Sequence, residues 1–203
     1  MLLVCLLSLS STVGARKVSE LVERAKAFAL EAHKGQKRLN REETPLATHL
    51  EEVVSLVEWS GGNETEIAAA WLHDVVEDTP VTLAEVAANF GNEVASIVDG
   101  LTDPPEFKNL HTLERKIAQA ARIYTEIDSV KRVKLADQIS NVRSVVVDPP
   151  IRWDAQKCLD YVRGAEMIAW ECKDASGCLY GKFLNAYNDA IKIYGDGFRP
   201  TAG

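Results

Sequence analysis

Ala68-Ala69-Ala70-Trp71-Leu72-His73-Asp74-Val75-Val76-Glu77-Asp78 carries the densest information in the chain: an apolar, helix-forming run passes directly into a histidine and three acids. Upstream, Asn63-x-x-Glu66 has the form of a capping box, so the spacing predicts a helix opening there and running into the acidic segment. On one continuous helix His73 and Glu77 meet at i, i+4, Asp74 and Glu77 at i, i+3, and Asp74 and Asp78 at i, i+4. Four groups able to bind metal or move protons are thus concentrated where an apolar helix leaves the core. Carboxylates at a helix C-terminus oppose the macrodipole, which calls for a cation nearby.

The same periodicity extends in both directions, with no sustained period-two alternation, and the expected fold class is all-α, a single bundle of about eight or nine helices. Val18, Leu21, Val22, Ala25, Phe28, Ala29 and Ala32 form one stripe, closed by Gly35. After a polar, basic loop, Gln36 to Thr44, Pro45 suits the first turn of a helix with Leu46, Leu50, Val53, Val54 and Val57 inward, stopped by Gly61-Gly62. Thr82-x-x-Glu85 opens a short helix ending near Phe90-Gly91. Further helices are expected at roughly 92–101, 110–126, 129–147, 154–173 and 178–194, with Pro149-Pro150 as a break.

His49 lies on the inward face of the second helix, where a histidine by itself reads more readily as a hydrogen-bonded core residue than as a ligand. In Val133-Lys134-Leu135-Ala136-Asp137-Gln138-Ile139-Ser140-Asn141, residues Lys134, Asp137 and Asn141 share a face, and a simple Lys134–Asp137 ion pair is as good an account of Asp137 as ligation. Two histidines and two carboxylates from three helices, His49, His73, Asp74 and Asp137, would make a mononuclear site with positions open for water and substrate. That mixture suits Mn, Fe, Co, Ni or Zn better than Ca or Mg.

Taken in order, Ala32-His33-Lys34-Gly35-Gln36-Lys37-Arg38, Thr44-Pro45-Leu46-Ala47-Thr48-His49, Trp71-Leu72-His73-Asp74-Val75-Val76-Glu77-Asp78-Thr79 and Lys134-Leu135-Ala136-Asp137 with Asn141 resemble the HD-domain superfamily. Within it the chain is similar to the RelA/SpoT-type hydrolases of the alarmones ppGpp and pppGpp, in their small stand-alone form. The resemblance spans roughly residues 18 to 165. It implies one divalent ion, usually manganese, on His49, His73, Asp74 and Asp137, with Glu77 and Asp78 positioning and deprotonating the attacking water. It also implies substrate contacts from Lys37, Arg38, Asn141 and Tyr161, the last following Trp153 and with a packing aromatic as its alternative reading; Lys134 is expected to help offset phosphate charge. The expected reaction is hydrolysis of the 3′-pyrophosphate of ppGpp to GDP and pyrophosphate. His33 reads as structural. The family's Pro-Tyr is Pro45-Leu46 here and its proline after the histidine is Leu50; both changes are expected at the pocket wall, where they bear on base specificity and leave open another phosphorylated nucleotide. A non-catalytic nucleotide-binding module would have lost a ligand or the Glu77-Asp78 pair, and both are present.

Composition sets outer limits. At 203 residues, 46% hydrophobic and 26% charged, the chain fits one domain over 16–195. A net charge of -7 argues against a nucleic-acid polymer as partner and leaves a small phosphorylated nucleotide possible. Cys5, Cys158, Cys172 and Cys178 include no C-x-x-C pair and read as reduced residues, favouring a cytoplasmic setting. The apolar run Leu2 to Leu9 is too short to span a membrane. Residues 1–15 read as a tail or start-site extension, with a signal segment as the alternative, because the positive charges Arg16 and Lys17 follow the run. Residues 196–203 read as a second tail.

Overall fold

The nine helices expected from spacing are all present in the computed structural model, which describes residues 19–195. They are α1 (Glu20–Ala32), α2 (Leu46–Trp59), α3 (Glu64–Leu72), α5 (Leu83–Phe90), α6 (Asn92–Leu101), α7 (Thr112–Tyr124), α8 (Asp128–Val147), α9 (Ala155–Cys172) and α10 (Gly177–Tyr194), with a four-residue α4 (Val75–Asp78) between α3 and α5. Short 3-10 turns lie at Pro105–Asn109 and Lys173–Ala175. The described residues hold no strand; an isolated bridge, Lys37 to Pro45, closes the basic loop. The tail readings for 1–15 and 196–203, the cysteine at position 5 and Val18 of the first stripe lie outside the described residues.

Local chemistry accounts for the helix starts. Asn63 accepts from Glu66 N at 2.9 Å while the Glu66 carboxylate accepts from Asn63 N at 2.8 Å, and Thr82 and Glu85 make the same reciprocal pair. Each cap satisfies backbone donors that have no partner inside the helix, and losing one costs about 1 kcal/mol. Pro45 stands one residue earlier than expected, as the N-cap of α2.

The one departure in the element order falls at the decisive segment. α3 stops at Leu72, His73 and Asp74 form a turn, and α4 restarts at Val75. The helical link from Asp78 N to Asp74 O survives at 2.9 Å, so Asp74 and Asp78 keep their spacing, but the macrodipole of α3 no longer points at Glu77 and Asp78. The argument from an unfavourable helix terminus therefore fails.

α3 is the hub. Ile67, Ala68, Ala69, Ala70, Trp71 and Leu72 are all buried, and α1, α2, α6 and α8 pack around them. A helix apolar on every side belongs in an interior, and three successive alanines let its neighbours approach closely. α8 is the second axis: Val130, Val133, Leu135, Ala136, Ile139, Val142 and Val145 are buried under α2, α6, α9 and α10. Each such leucine, isoleucine or valine contributes about 1.5–3 kcal/mol by burial. Glu66 is buried too, and its second oxygen accepts from Arg132 Nε at 3.1 Å while Arg132 Nη1 donates to Ser60 O at 3.2 Å. That bond ties the α2–α3 turn to α8 and leaves no unpaired buried charge. No helix among the described residues is long and apolar enough to cross a membrane.

Candidate metal centre

Three segments deliver the candidate donors to one point. α2 brings His49, the α3–α4 turn brings His73 and Asp74, and α8 brings Asp137. Both histidines are 4% exposed and Asp137 is 5% exposed. The turn matters because Asp74, at the N-cap position of α4, makes no side-chain capping bond. Its Oδ2 lies instead 3.3 Å from His73 Nε2 and 3.7 Å from His49 Nε2. One ligand atom from each of His49, His73 and Asp74 lies within 4.8 Å of the others, an arrangement able to hold a metal ion. Asp137 Oδ1 stands at 3.5 Å from His49 Nε2, nearer than Asp74, and at 3.9 Å from His73 Nε2, further than Asp74, and it lies outside that mutually close group of three.

The hydrogen bonds behind the rings decide which way their lone pairs point. His73 Nδ1 lies 2.7 Å from Ala70 O, and a carbonyl only accepts, so the proton of a neutral His73 sits on Nδ1. His49 Nδ1 lies 2.9 Å from Ser140 Oγ, whose own proton goes to Glu52 Oε2 at 2.6 Å. His49 must then donate as well. Both Nε2 atoms therefore present bare lone pairs, yet they face one another at 3.1 Å. Only a cation between them, a proton or a metal ion, reconciles that distance with that tautomer pair. Without metal the shared proton belongs on His73: burial opposes its charge, but the Asp74 and Asp137 carboxylates raise its pKa to about 9. Burial and the charge of His73 push His49 down to about 4. The donor set fits a divalent cation.

Asp137 is oriented by three partners. Gln138 Nε2 donates to its Oδ2 at 2.8 Å, Lys134 Nζ lies 3.5 Å from the same oxygen, and Asn141 Nδ2 donates to Oδ1. The Lys134 ion pair expected from sequence is present, and it coexists with the approach of Asp137 to the histidines. Arg38 Nη2 donates to Asn141 Oδ1 at 2.8 Å, which links the basic loop to the donor cluster in one hydrogen-bonded row.

A cleft opens over this point, lined by Lys37, Arg38, His49, Asp74, Glu77, Asp78, Lys134, Asp137, Asn141 and Tyr161 among others. All the sequence-derived residues except His73, which sits beneath, reach it. Glu77 and Asp78 both have carboxyls raised above the ordinary value, first by burial, then for Glu77 by the Asp103 carboxylate and for Asp78 by Asp74. A raised carboxyl is a better proton acceptor than an ordinary one. Lys37 is the outlying member: its ammonium pairs with Glu43 at 2.6 Å, more than half exposed. Tyr161 packs on Trp153 with ring centroids 5.0 Å apart. His33 is buried and bonded to Gln36 at 2.8 Å, apart from the donor cluster. Of the two departures placed at the wall, Leu46 lines the cleft, whereas Leu50 is fully buried in the core and does not touch it.

Sequence reasoning missed Lys116. It is 3% exposed at the cleft wall, donates to Gln138 Oε1 at 2.8 Å and holds its ammonium 4.1 Å from the Tyr161 ring centre. Burial first, then the nearby Lys134 charge, lowers its pKa to about 7. The signal was present: Lys116, Ala120 and Ile123 share the buried face of α7. Cys158 and Cys172 are buried free thiols, and Cys178 is exposed rather than packed.

This chain is similar to known proteins over most of its length. A family profile described as HD domain matches residues 25–161. Guanosine-3′,5′-bis(diphosphate) 3′-pyrophosphohydrolase MESH1 of Xenopus tropicalis is 33% identical over 171 residues, covering 83% of this chain and 94% of that protein. A probable guanosine-3′,5′-bis(diphosphate) 3′-pyrophosphohydrolase of Synechocystis is 38% identical over 128 residues, 62% of this chain but 17% of the relative's length. A solved structure described as a metazoan ortholog of SpoT that hydrolyzes ppGpp superposes with a TM-score of 0.78 at 27% identity, over 86% of this chain and 98% of the other. With the matched span taking in His49, His73, Asp74 and Asp137 alike, the chain belongs to the HD domain family.

Proposed function

We propose that this chain hydrolyses guanosine 3′,5′-bis(diphosphate) to GDP and pyrophosphate, using one divalent ion, manganese, on His49, His73, Asp74 and Asp137. The observation that carries the reading is the pair of Nε2 lone pairs facing each other at 3.1 Å, flanked by two carboxylates under a cation-lined cleft. Relatives matched over most of their own length are named for this hydrolysis.

A divalent ion at this point supplies Lewis acidity, lowering the pKa of a water and polarising a phosphoryl oxygen. Glu77 accepts the proton of the attacking water, and Asp78 holds that arrangement by hydrogen bonding. The new bond joins the water oxygen to the phosphorus on the ribose 3′-oxygen; the bond from that phosphorus to the 3′-oxygen breaks, and the 3′-oxygen takes up a proton. Arg38, Lys37 and Lys134 offset phosphate charge, while Asn141 and Tyr161 orient the nucleotide. Reduced Cys158 and Cys172 and a net charge of -7 support a cytoplasmic enzyme acting on a small nucleotide rather than a nucleic-acid polymer.

Leu46 at the cleft wall favours a second reading of specificity, in which another phosphorylated nucleotide is the better substrate at the same site. The test is a product assay of purified, manganese-loaded protein on ppGpp, nucleoside monophosphates and NADPH. Equimolar GDP and pyrophosphate from ppGpp, lost in His73→Ala, is the expected result. Turnover of another nucleotide without pyrophosphate release from ppGpp selects the second reading, and undiminished ppGpp hydrolysis by His73→Ala contradicts both.

A further inference from the structure

His49 is held from behind by a chain that runs to the surface. Its Nδ1 donates to Ser140 Oγ at 2.9 Å, the Ser140 hydroxyl donates to Glu52 Oε2 at 2.6 Å, and Glu52 Oε1 accepts from Arg143 Nη1 at 2.8 Å. The mechanism above uses none of the three outer residues. Their chemistry is directional. A carboxylate between two donors can only accept, so the single proton of Ser140 is committed to Glu52, and the serine oxygen is left to accept. His49 then carries its proton on Nδ1 and turns the Nε2 lone pair toward His73 and Asp74.

We infer that Glu52 is a positioning residue: acting through Ser140, it fixes the tautomer of His49 that can ligate a divalent cation. The inference rests on the metal-site reading of His49. Ser140 and Arg143 overcome the effect of burial and hold the Glu52 carboxyl below its ordinary value, so the group stays ionised and acceptor-only in the working range. The Glu52–Arg143 pair is 35% and 40% exposed, so it adds little to stability and its removal leaves the fold in place. The role is therefore separable from packing.

Glu52→Gln tests the direction of the chain. Arg143 is a donor only, so the new amide turns its oxygen to Arg143 and its NH2 to Ser140. Ser140 then receives a hydrogen bond where it used to give one, and its proton becomes free for His49 Nδ1. The tautomer that withholds the Nε2 lone pair is now allowed. In Glu52→Gln/Arg143→Ala the amide can turn round and offer its oxygen to Ser140 again, which restores the original polarity.

The experiment is titration of metal-free protein with Mn2+, followed by the electron paramagnetic resonance of free Mn2+, with thermal unfolding of each metal-free variant alongside. Glu52→Gln should bind about 10–100-fold more weakly, the scale for partners behind a ligating histidine. Its unfolding temperature without metal should match the parent, and the double variant should regain most of the affinity. Parental affinity in Glu52→Gln, a double variant as weak as the single, or a metal-free Glu52→Gln that unfolds early would each overturn the inference. His73→Ala in the same titration separates the two levels: if it also binds Mn2+ like the parent, the metal site itself is wrong, whereas loss in His73→Ala with none in Glu52→Gln removes Glu52 alone.

Discussion

His49 and His73 differ in what stands behind them and in the charges around them, and that difference predicts how the site competes with protons. His73, raised to about 9 by Asp74 and Asp137 against the opposing effect of burial, holds a proton on Nε2 in the metal-free protein. A metal must displace it. Apparent Mn2+ affinity should therefore rise about tenfold per pH unit between pH 6.5 and 8, with close to one proton released per ion, as calorimetry in buffers of different ionisation enthalpy would measure. Without metal the linkage has the opposite sign. A histidine pKa above its unfolded value contributes stability that is full below about pH 6.5 and is lost as pH climbs through about 9. In the proposed mechanism Glu77 acts on the water rather than on the ion, so Glu77→Gln should lower kcat by about 10²–10⁴-fold and leave Mn2+ affinity near the parent value. At this scale the chain was only partly legible. His73 and Asp74 stood out at once, but by itself His49 read more readily as a core histidine, and Asp137 read as well as an ion-paired residue, until the ordered motifs were taken together. Glu52 and Ser140 carry no local signature, because their significance lies in partners 88 and 91 residues away; Lys116 shares a buried helical face with Ala120 and Ile123, but its partner Gln138 lies 22 residues on.

Elements were read more accurately than residues, for a physical reason. Helix starts are written locally, in pairs such as Asn63 with Glu66 and Thr82 with Glu85, and both pairs form the bonds their spacing demands. The α3–α4 break was not legible. No glycine or proline marks it, and His73 keeps helical dihedrals (φ -60, ψ -32), so no local propensity announces the interruption. The α7–α9 contact likewise depends on one position. A Cβ at Gly164 would lie 2.4 Å from Lys116 Cβ and 2.6 Å from its Cγ, atoms near the backbone that cannot swing aside. Gly164→Ala should therefore destabilise the protein by about 1–3 kcal/mol in urea unfolding and displace Lys116 from Gln138 and Tyr161.

For the whole molecule, the site lies where the two buried axes, α3 and α8, come together with α2 against them, so metal binding is coupled to the folded state. An ion that binds only the native state at a hundredfold excess over its Kd adds about 2.7 kcal/mol, or roughly 5–10 °C in Tm for a chain of this size. Stripping with EDTA should lower the calorimetric midpoint by that order, and readdition of Mn2+ should restore it; an unchanged midpoint would mean that the ion does not bridge these helices. The all-helical class, the order of the helices and the bundle were legible because an apolar stripe at helical spacing leaves few alternatives. The distance of Asp137 from the other donors was not, since it depends on how α8 rotates against α2.

The most direct measurement is anomalous diffraction at the manganese edge from crystals grown with Mn2+. One anomalous peak within bonding reach of His49 Nε2, His73 Nε2 and a carboxylate oxygen of each of Asp74 and Asp137 is the predicted result. A map with no peak at that point, or with manganese bound only elsewhere, would contradict the account.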